Sequence, residues 1–394
     1  MRVLYLTNGF PYPLTSGYLR HYHLIRELAP DHDVTLLSLV GPAYRDEDRE
    51  ALRPLVERVE VFRGGAGRGR DRSLRRVRRL AGSSHSPGVA AMAATAAALH
   101  DERPFDVVLH SGKSTHPVLD LIDLPVAADL CDATSSRLAG AMTYAPAVRR
   151  PALWLQLRRM RRIESGIVGR AAHVMFASER DRELILGARM APPSSVVPNG
   201  VDLAYWQRRT PSLGEDRIVF TGAMHYPPNV DAAVVLIRDV LPLVRQRVPA
   251  ARLDIVGRDP APALMSLADR PGVRITGTVP DVRPFLEDAA VFAAPLRFGA
   301  GIQNKLLEAL AMEVPVVASS LALDGLRVGD RTAPAIVADD PATMADRIAA
   351  ALTTARADPR PNAVGRAYVD SEFRWATSGA RLSSILRSVV EARS

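Results

Sequence analysis

At 394 residues, with 47% hydrophobic and 24% charged residues, the chain is too long for one ordinary core and suits two soluble domains. Its formal charge of +8 leaves anionic substrates, an anionic membrane surface and nucleic acid open as partners. A single cysteine, Cys131, excludes an internal disulfide framework and a cysteine-rich metal site, and no run approaches the ~20 apolar residues of a membrane span.

The N-terminus, MRVLYLTNG, carries no secretory h-region, so a cytoplasmic chain is expected. Of the 51 basic residues only Lys113 and Lys305 are lysines, a bias of the kind GC-rich coding produces. That bias singles the two lysines out.

Arg2–Leu6 reads as a strand, Thr7–Gly17 as a Gly/Pro loop, the following stretch to about Ala29 as a helix, and Asp33–Val40 as the next strand. This is βαβ grammar. It lacks G-x-G-x-x-G, which argues against a dinucleotide-dependent oxidoreductase. A helix around Asp46–Val56 and a strand Val59–Phe62 should follow. Arg63–Gly82 is Gly/Arg-rich, with Ser73–Leu80 as a short basic helix; a solvated loop is the first reading and a membrane-surface patch the second. Nucleic-acid binding comes last, because no aromatics interleave for base stacking.

Strands Asp106–His110 and Pro125–Leu130 each end in polar residues: His110, Ser111 and Lys113 after the first, Asp129, Cys131, Asp132 and Ser135 after the second. Ligands of open parallel sheets gather at such ends, although capping and turn formation favour the same residue types. Arg149–Arg170 is a basic amphipathic helix containing Trp154 and Leu155. Either its apolar side packs on the sheet with the arginines solvated, or it lies on a bilayer. His173–Ala177 and Glu179–Leu186 form another strand and helix, and Val196–Asp202 is strand then turn.

After a Pro/Ser/Gly-rich linker, Arg208–Asp216, the grammar restarts at Arg217–Thr221. The turn Gly222-Ala223-Met224-His225 precedes a long helix over Asn229–Val248. Strands are expected at Leu253–Val256 (then Gly257-Arg258-Asp259), Val273–Thr276 and Ala290–Ala294, with a short helix at Asp281–Leu286. The stretch from Arg297 to Ser319 reads as a Gly-rich loop, a helix from about Ile302, a stop at Pro315 and a buried strand. A Gly-rich loop entering a helix N-terminus offers free N–H groups and the positive dipole end to an anion such as a diphosphate. Lys305 and Glu308 lie three apart on the first turns. Helices near Pro341–Ala355, Asn362–Phe373 and Ser378–Arg393 close the chain. The nine histidines are scattered, and no metal-ligand cluster is expected.

The loop after strand one, the PNGVD phrase at 198–202, FTGAM at 220–224 and the Glu308 helix, in that order, resemble retaining glycosyltransferases of family 4. The resemblance implies an α/β protein of the GT-B fold, with two Rossmann-like βαβ domains facing each other across a cleft. Residues 1–205 would bind the acceptor, 206–372 the nucleotide sugar, and 373–394 would cross back to the first domain. In that family a Glu-x7-Glu pattern spans the loop and helix. Here the second Glu is Glu308, expected on the ribose hydroxyls, and the first position is Ala300. The chain therefore resembles the branch with a Gly-rich loop, whose backbone amides would meet the sugar.

The implied donor site comprises Gly17, Gly222, His225, Arg258, Gly299, Ala300, Gly301, Ile302, Gln303, Asn304, Lys305 and Glu308. The implied acceptor site comprises Ser16, Tyr18, His21, Ser111 and Lys113, and Asp132, Lys305 and His110 are the catalytic candidates. The family's Arg and Lys after the glycine of the second half are missing, so Lys305, the helix end and Arg258 would hold the diphosphate. A hexose would pass from a nucleoside-diphosphate sugar to a hydroxyl or amine of a small molecule, lipid or saccharide, without metal or other cofactor. Peripheral contact with the inner face of a membrane is compatible, and nucleic acid is not expected. Two alternatives stay open: a sugar-nucleotide 2-epimerase, and a basic membrane- or nucleic-acid-binding protein with a vestigial donor site.

Overall fold

The computed structural model describes residues 1–14, 18–42, 44–63, 87–187 and 192–393. Ser16, Gly17 and the basic helix expected at 73–80 lie outside the described residues.

Seven short apolar runs build the first sheet: β1 (Arg2–Thr7), β2 (Asp33–Val40), β3 (Arg58–Arg63), β4 (Val107–Ser111), β5 (Val126–Cys131), β6 (His173–Phe176) and β7 (Ser194–Val196). All pair in parallel, in the order β3-β2-β1-β4-β5-β6-β7. A second parallel sheet holds β8 (Arg217–Thr221), β9 (Arg252–Val256), β10 (Val273–Ile275), β11 (Val291–Ala294), β12 (Val316–Ala318) and β13 (Ile336–Val337) in the order β10-β9-β8-β11-β12-β13. In both sheets the order reverses beside the first strand, the topological switch point of a doubly wound fold.

Among the described residues of the first lobe the α-helices are α1 (Leu19–Leu28), α2 (Pro87–Glu102), α3 (Thr134–Tyr144), α4 (Arg150–Arg170) and α5 (Glu179–Leu186). Helix α2 escaped the sequence reading because it is alanine-rich on every side and lacks polar contrast. Around Asp46 only a 3₁₀ segment, Asp46–Ala51, forms.

In the second lobe, α6 (Pro227–Val235) runs through a π segment, Leu236–Val240, into α7 (Leu241–Arg247). The single helix expected there is interrupted because Pro242 has no N–H to give the Arg238 carbonyl, and the bonding widens by one residue. Next come α8 (Pro262–Met265), α9 (Arg283–Glu287), α10 (Asn304–Ala311) and α11 (Ser320–Asp324), then α12 (Pro341–Ala357), α13 (Ala363–Glu372) and α14 (Trp375–Glu391).

Helix α14 packs on the first lobe: Trp375, Leu382, Ile385, Leu386 and Val389 share a core with Val3, Tyr5, Leu24 and Val107. The crossing is fixed where Val201 N–H donates to Phe373 O (2.8 Å) and Ser378 Oγ–H to Pro198 O (2.8 Å). Two arginines pin the connecting segment to the second lobe. Arg208 donates to Met312 O (2.9 Å) and Glu287 O (3.0 Å), and Arg366 donates to Trp206 O (2.7 Å) and Ala311 O (2.8 Å). Each gives carbonyls near a helix end the donors they lack.

Candidate active site between the lobes

The C-terminal ends of both sheets meet. Gly301, after β11, presses on Asp132, after β5, and its own backbone is left-handed (φ +72°); a Cβ added there would stand 3.2 Å from Asp132 Cβ. Phe298 stacks on Tyr144 of α3 (5.9 Å between centroids), and Arg137 of α3 sits over Tyr226 (5.5 Å). Residues 298–302 are buried at this junction.

Helix α10 begins at Asn304, two residues later than its periodicity suggested. Its N-cap, Gln303, makes no capping side-chain bond, so the helix start keeps donors for an anion. Lys305 turns from α10 toward the end of β8. Its Nζ donates to Asn229 Oδ1 and lies 5.1 Å from the Phe220 ring centre. Asn229 in turn donates from Nδ2 to Ala223 O (3.0 Å). The cation missing from the turn after Gly222 is thus delivered from another element. Gly222 and Gly257 close the floor, so tightly that a Cβ on Gly257 would lie 1.7 Å from Gly222 O.

Lys305 and Glu308 are both half-buried, and lost hydration disfavours both charges. The Lys305 pKa falls to about 8, partly restored by Glu308, and the Glu308 pKa rises to about 7, partly offset by Lys305. The His225 and Arg258 side chains are exposed, each 3.6 Å from Asp259.

On the facing lobe several candidates are committed to structure. His110 is 1% exposed, its Nε2 lies 3.1 Å from Thr115 Oγ1, and burial drops its pKa to about 3. Because the Thr115 hydroxyl donates to Gly112 O, it accepts from a neutral His110. Enclosed there, His110 reaches no substrate. Ser111 is buried against Asp129 (3.4 Å), and His21 is buried on the Tyr5 hydroxyl (2.7 Å) with its pKa lowered to about 4 by desolvation. Tyr18 stacks on His21 with its own ring exposed.

Lys113 is saturated rather than open to an acceptor. Its three N–H groups are shared among Asp132 Oδ1 (2.7 Å), Asp132 O (2.7 Å), Thr134 Oγ1 (2.8 Å) and Leu130 O (3.2 Å). Burial alone would raise the Asp132 pKa, but the Lys113 charge and the bonds from Lys113 and Thr134 outweigh it, so it is lowered. Asp132 is therefore ionised, with its Cβ close to Gly301.

Three further junction residues went unassigned in the sequence reading. Asp181 accepts from Gly301 N–H (3.1 and 3.2 Å) and Ala133 N–H (2.9 Å). Gly301 was expected to offer that amide to the donor; a fully buried carboxylate already holds it. Arg20 pairs with Asp129 and donates to Asn199 Oδ1 (2.9 Å), whose Nδ2 donates to Asn304 Oδ1 (2.8 Å). Only the PNGVD phrase pointed to Asn199; Arg20 and Asp181 read as ordinary helical residues.

The family described as "Glycosyl transferases group 1" matches residues 215–354, the lobe that carries Lys305 and Glu308. The chain is a glycosyltransferase with the GT-B fold. Among curated relatives it is 28% identical, over 72% of its length and 74% of theirs, to a phosphatidyl-myo-inositol mannosyltransferase of Mycobacterium tuberculosis. A GDP-mannose-dependent alpha-(1-6)-phosphatidylinositol monomannoside mannosyltransferase of Mycolicibacterium smegmatis is 35% identical over 40% of this chain and 45% of that protein. Among solved structures, sucrose-phosphate synthase from Thermosynechococcus elongatus superposes with a TM-score of 0.70 at 15% identity, covering 100% of both chains. Anabaena Alr3699/HepE in complex with UDP superposes with 0.67 at 15% identity, covering 98% of this chain and 100% of that one. The enzyme's charged junction is thus set between two lobes of a known transferase architecture.

Proposed function

We propose that the enzyme transfers a hexose from a nucleoside-diphosphate sugar to an acceptor hydroxyl or amine, with retention of configuration. The observation that carries this reading is the convergence of Lys305, Glu308 and the uncapped start of α10 behind the turn at Gly222. The bond from the anomeric carbon to the diphosphate oxygen breaks, the acceptor oxygen or nitrogen bonds to the same face, and the acceptor proton leaves with the phosphate. Negative charge develops on the departing diphosphate, where a cation and aligned N–H groups lower the barrier most. Glu308, when ionised, accepts from the ribose hydroxyls. The mannosyltransferase relatives and the UDP complex among the fold neighbours support a nucleotide-sugar donor.

We place the acceptor beside a membrane surface, which the enzyme touches with the start of α4. No helix among the described residues is long and apolar enough to cross a membrane, so contact would be peripheral. Val148 (87% exposed), Trp154 (45%) and Leu155 (48%) stand in solvent next to Arg149, Arg150, Arg158, Arg159, Arg161 and Arg162. Residues 145–163 contain no Asp or Glu. Apolar side chains flanked by uncompensated arginines suit an anionic bilayer. Nucleotide sugars screened against pooled lipid and saccharide acceptors by mass spectrometry test the transfer. The anomeric proton coupling in the product tests retention, and a rearranged sugar nucleotide in place of free nucleoside diphosphate would point to epimerisation.

A further inference from the structure

Segment 301–304, the entry to α10, is gripped at both ends by the opposite lobe. At one end Asp181, 0% exposed and steadied by Ser178 Oγ–H and Ala133 N–H, accepts the Gly301 N–H. Gly301 needs such a partner: it is buried, and a buried N–H without an acceptor is costly.

At the other end Asn199 donates to Asn304, the first residue of α10. The orientation of the Asn199 amide follows from Arg20. A guanidinium only donates, so Oδ1 faces Arg20 NH1 (2.9 Å) and Nδ2 is left to reach Asn304 (2.8 Å). Arg20 is itself held by both Asp129 oxygens (2.8 and 3.1 Å).

We propose that Asp181 and Asn199 are positioning residues for the donor diphosphate: they touch no substrate, but hold segment 301–304 so that the start of α10 and Lys305 face it. This rests on the donor reading of that helix start. It adds that the diphosphate half of the site is shaped by the lobe that does not carry it. On the same reading the nucleoside half, held by Glu308 one turn farther into α10, does not depend on the grip.

The test is calorimetric titration of the full-length enzyme with UDP, GDP and dTDP, then with the nucleoside of whichever binds. Asp181→Ala and Asn199→Ala should each weaken the diphosphate roughly tenfold, the scale of one lost hydrogen bond to a charged or buried group, and leave the nucleoside unchanged. Asp181→Asn, which keeps one acceptor oxygen, should fall between wild type and Asp181→Ala. Equal diphosphate affinity in wild type and both alanine variants overturns the proposal. So does parallel weakening of diphosphate and nucleoside, which marks a general loosening. If Asp181→Ala does not fold, Asn199→Ala alone decides. If wild type binds none of the three diphosphates, the donor reading itself fails and this inference goes with it.

Discussion

Lys305 and Glu308 sit on successive turns of α10, and lost hydration pushes their pKa values toward each other, to about 8 and about 7. The Lys305 charge fades as pH climbs past 8, and the Glu308 charge fades as pH drops below 7. The donor kcat/KM should therefore trace a narrow bell with limbs near those values. Lys305→Arg should carry the alkaline limb beyond pH 10, and Lys305→Ala should raise the donor KM while sparing the acceptor KM. An unchanged donor KM in Lys305→Ala removes the diphosphate role.

The same burial makes Glu308 a liability for folding. Its folded pKa lies above the ordinary glutamate value of 4.5, so its contribution to stability is fully present below pH 4.5 and is lost as pH rises through 7. Glu308→Gln should raise the Tm at pH 8, match wild type near pH 4, and bind donor less tightly. Paired thermal scans at the two pH values check the sign.

Arg20 and Asp129 form an ion pair with side chains 5% and 1% exposed. Removing either partner strands a buried charge, so Arg20→Ala or Asp129→Ala should cost about 3–5 kcal/mol in denaturant unfolding. The double replacement should cost less than the sum of the two.

Asp132 gains its low pKa chiefly against burial, through Lys113. That stability is present above the unfolded value of 3.8 and is lost as pH falls below it. Lys113→Met should therefore be clearly destabilised at pH 7, with the gap to wild type narrowing below pH 4. Urea midpoints across that range measure it.

Membrane contact predicts flotation with vesicles of anionic phospholipid and not with zwitterionic ones. Each surface arginine contributes on the order of 1 kcal/mol, so Arg158→Glu with Arg162→Glu should cut vesicle binding at least tenfold. Retained flotation in that variant, or binding to RNA alone, sinks the reading.

The strands were legible because each is a short apolar run closed by a turn, and β2, α5 and β8 fall where the pattern placed them. The site was legible only where chemistry is local, as in the 299–308 stretch. Side-chain direction was not: His110 and Ser111 lie at a strand end, yet both faces of a parallel sheet are covered, and they point into packing. Asp181 meets Gly301 across 120 residues and Asn199 meets Asn304 across 105, separations on which no periodicity reports.

Because α14 roofs the sheet that β1 opens, a ribosome must finish residues 375–391 before the earliest strands can be sealed from water. The nascent first lobe therefore waits, greasy side uncovered, while the whole second lobe is synthesised. Folding of the two halves is tied together in time as well as in space.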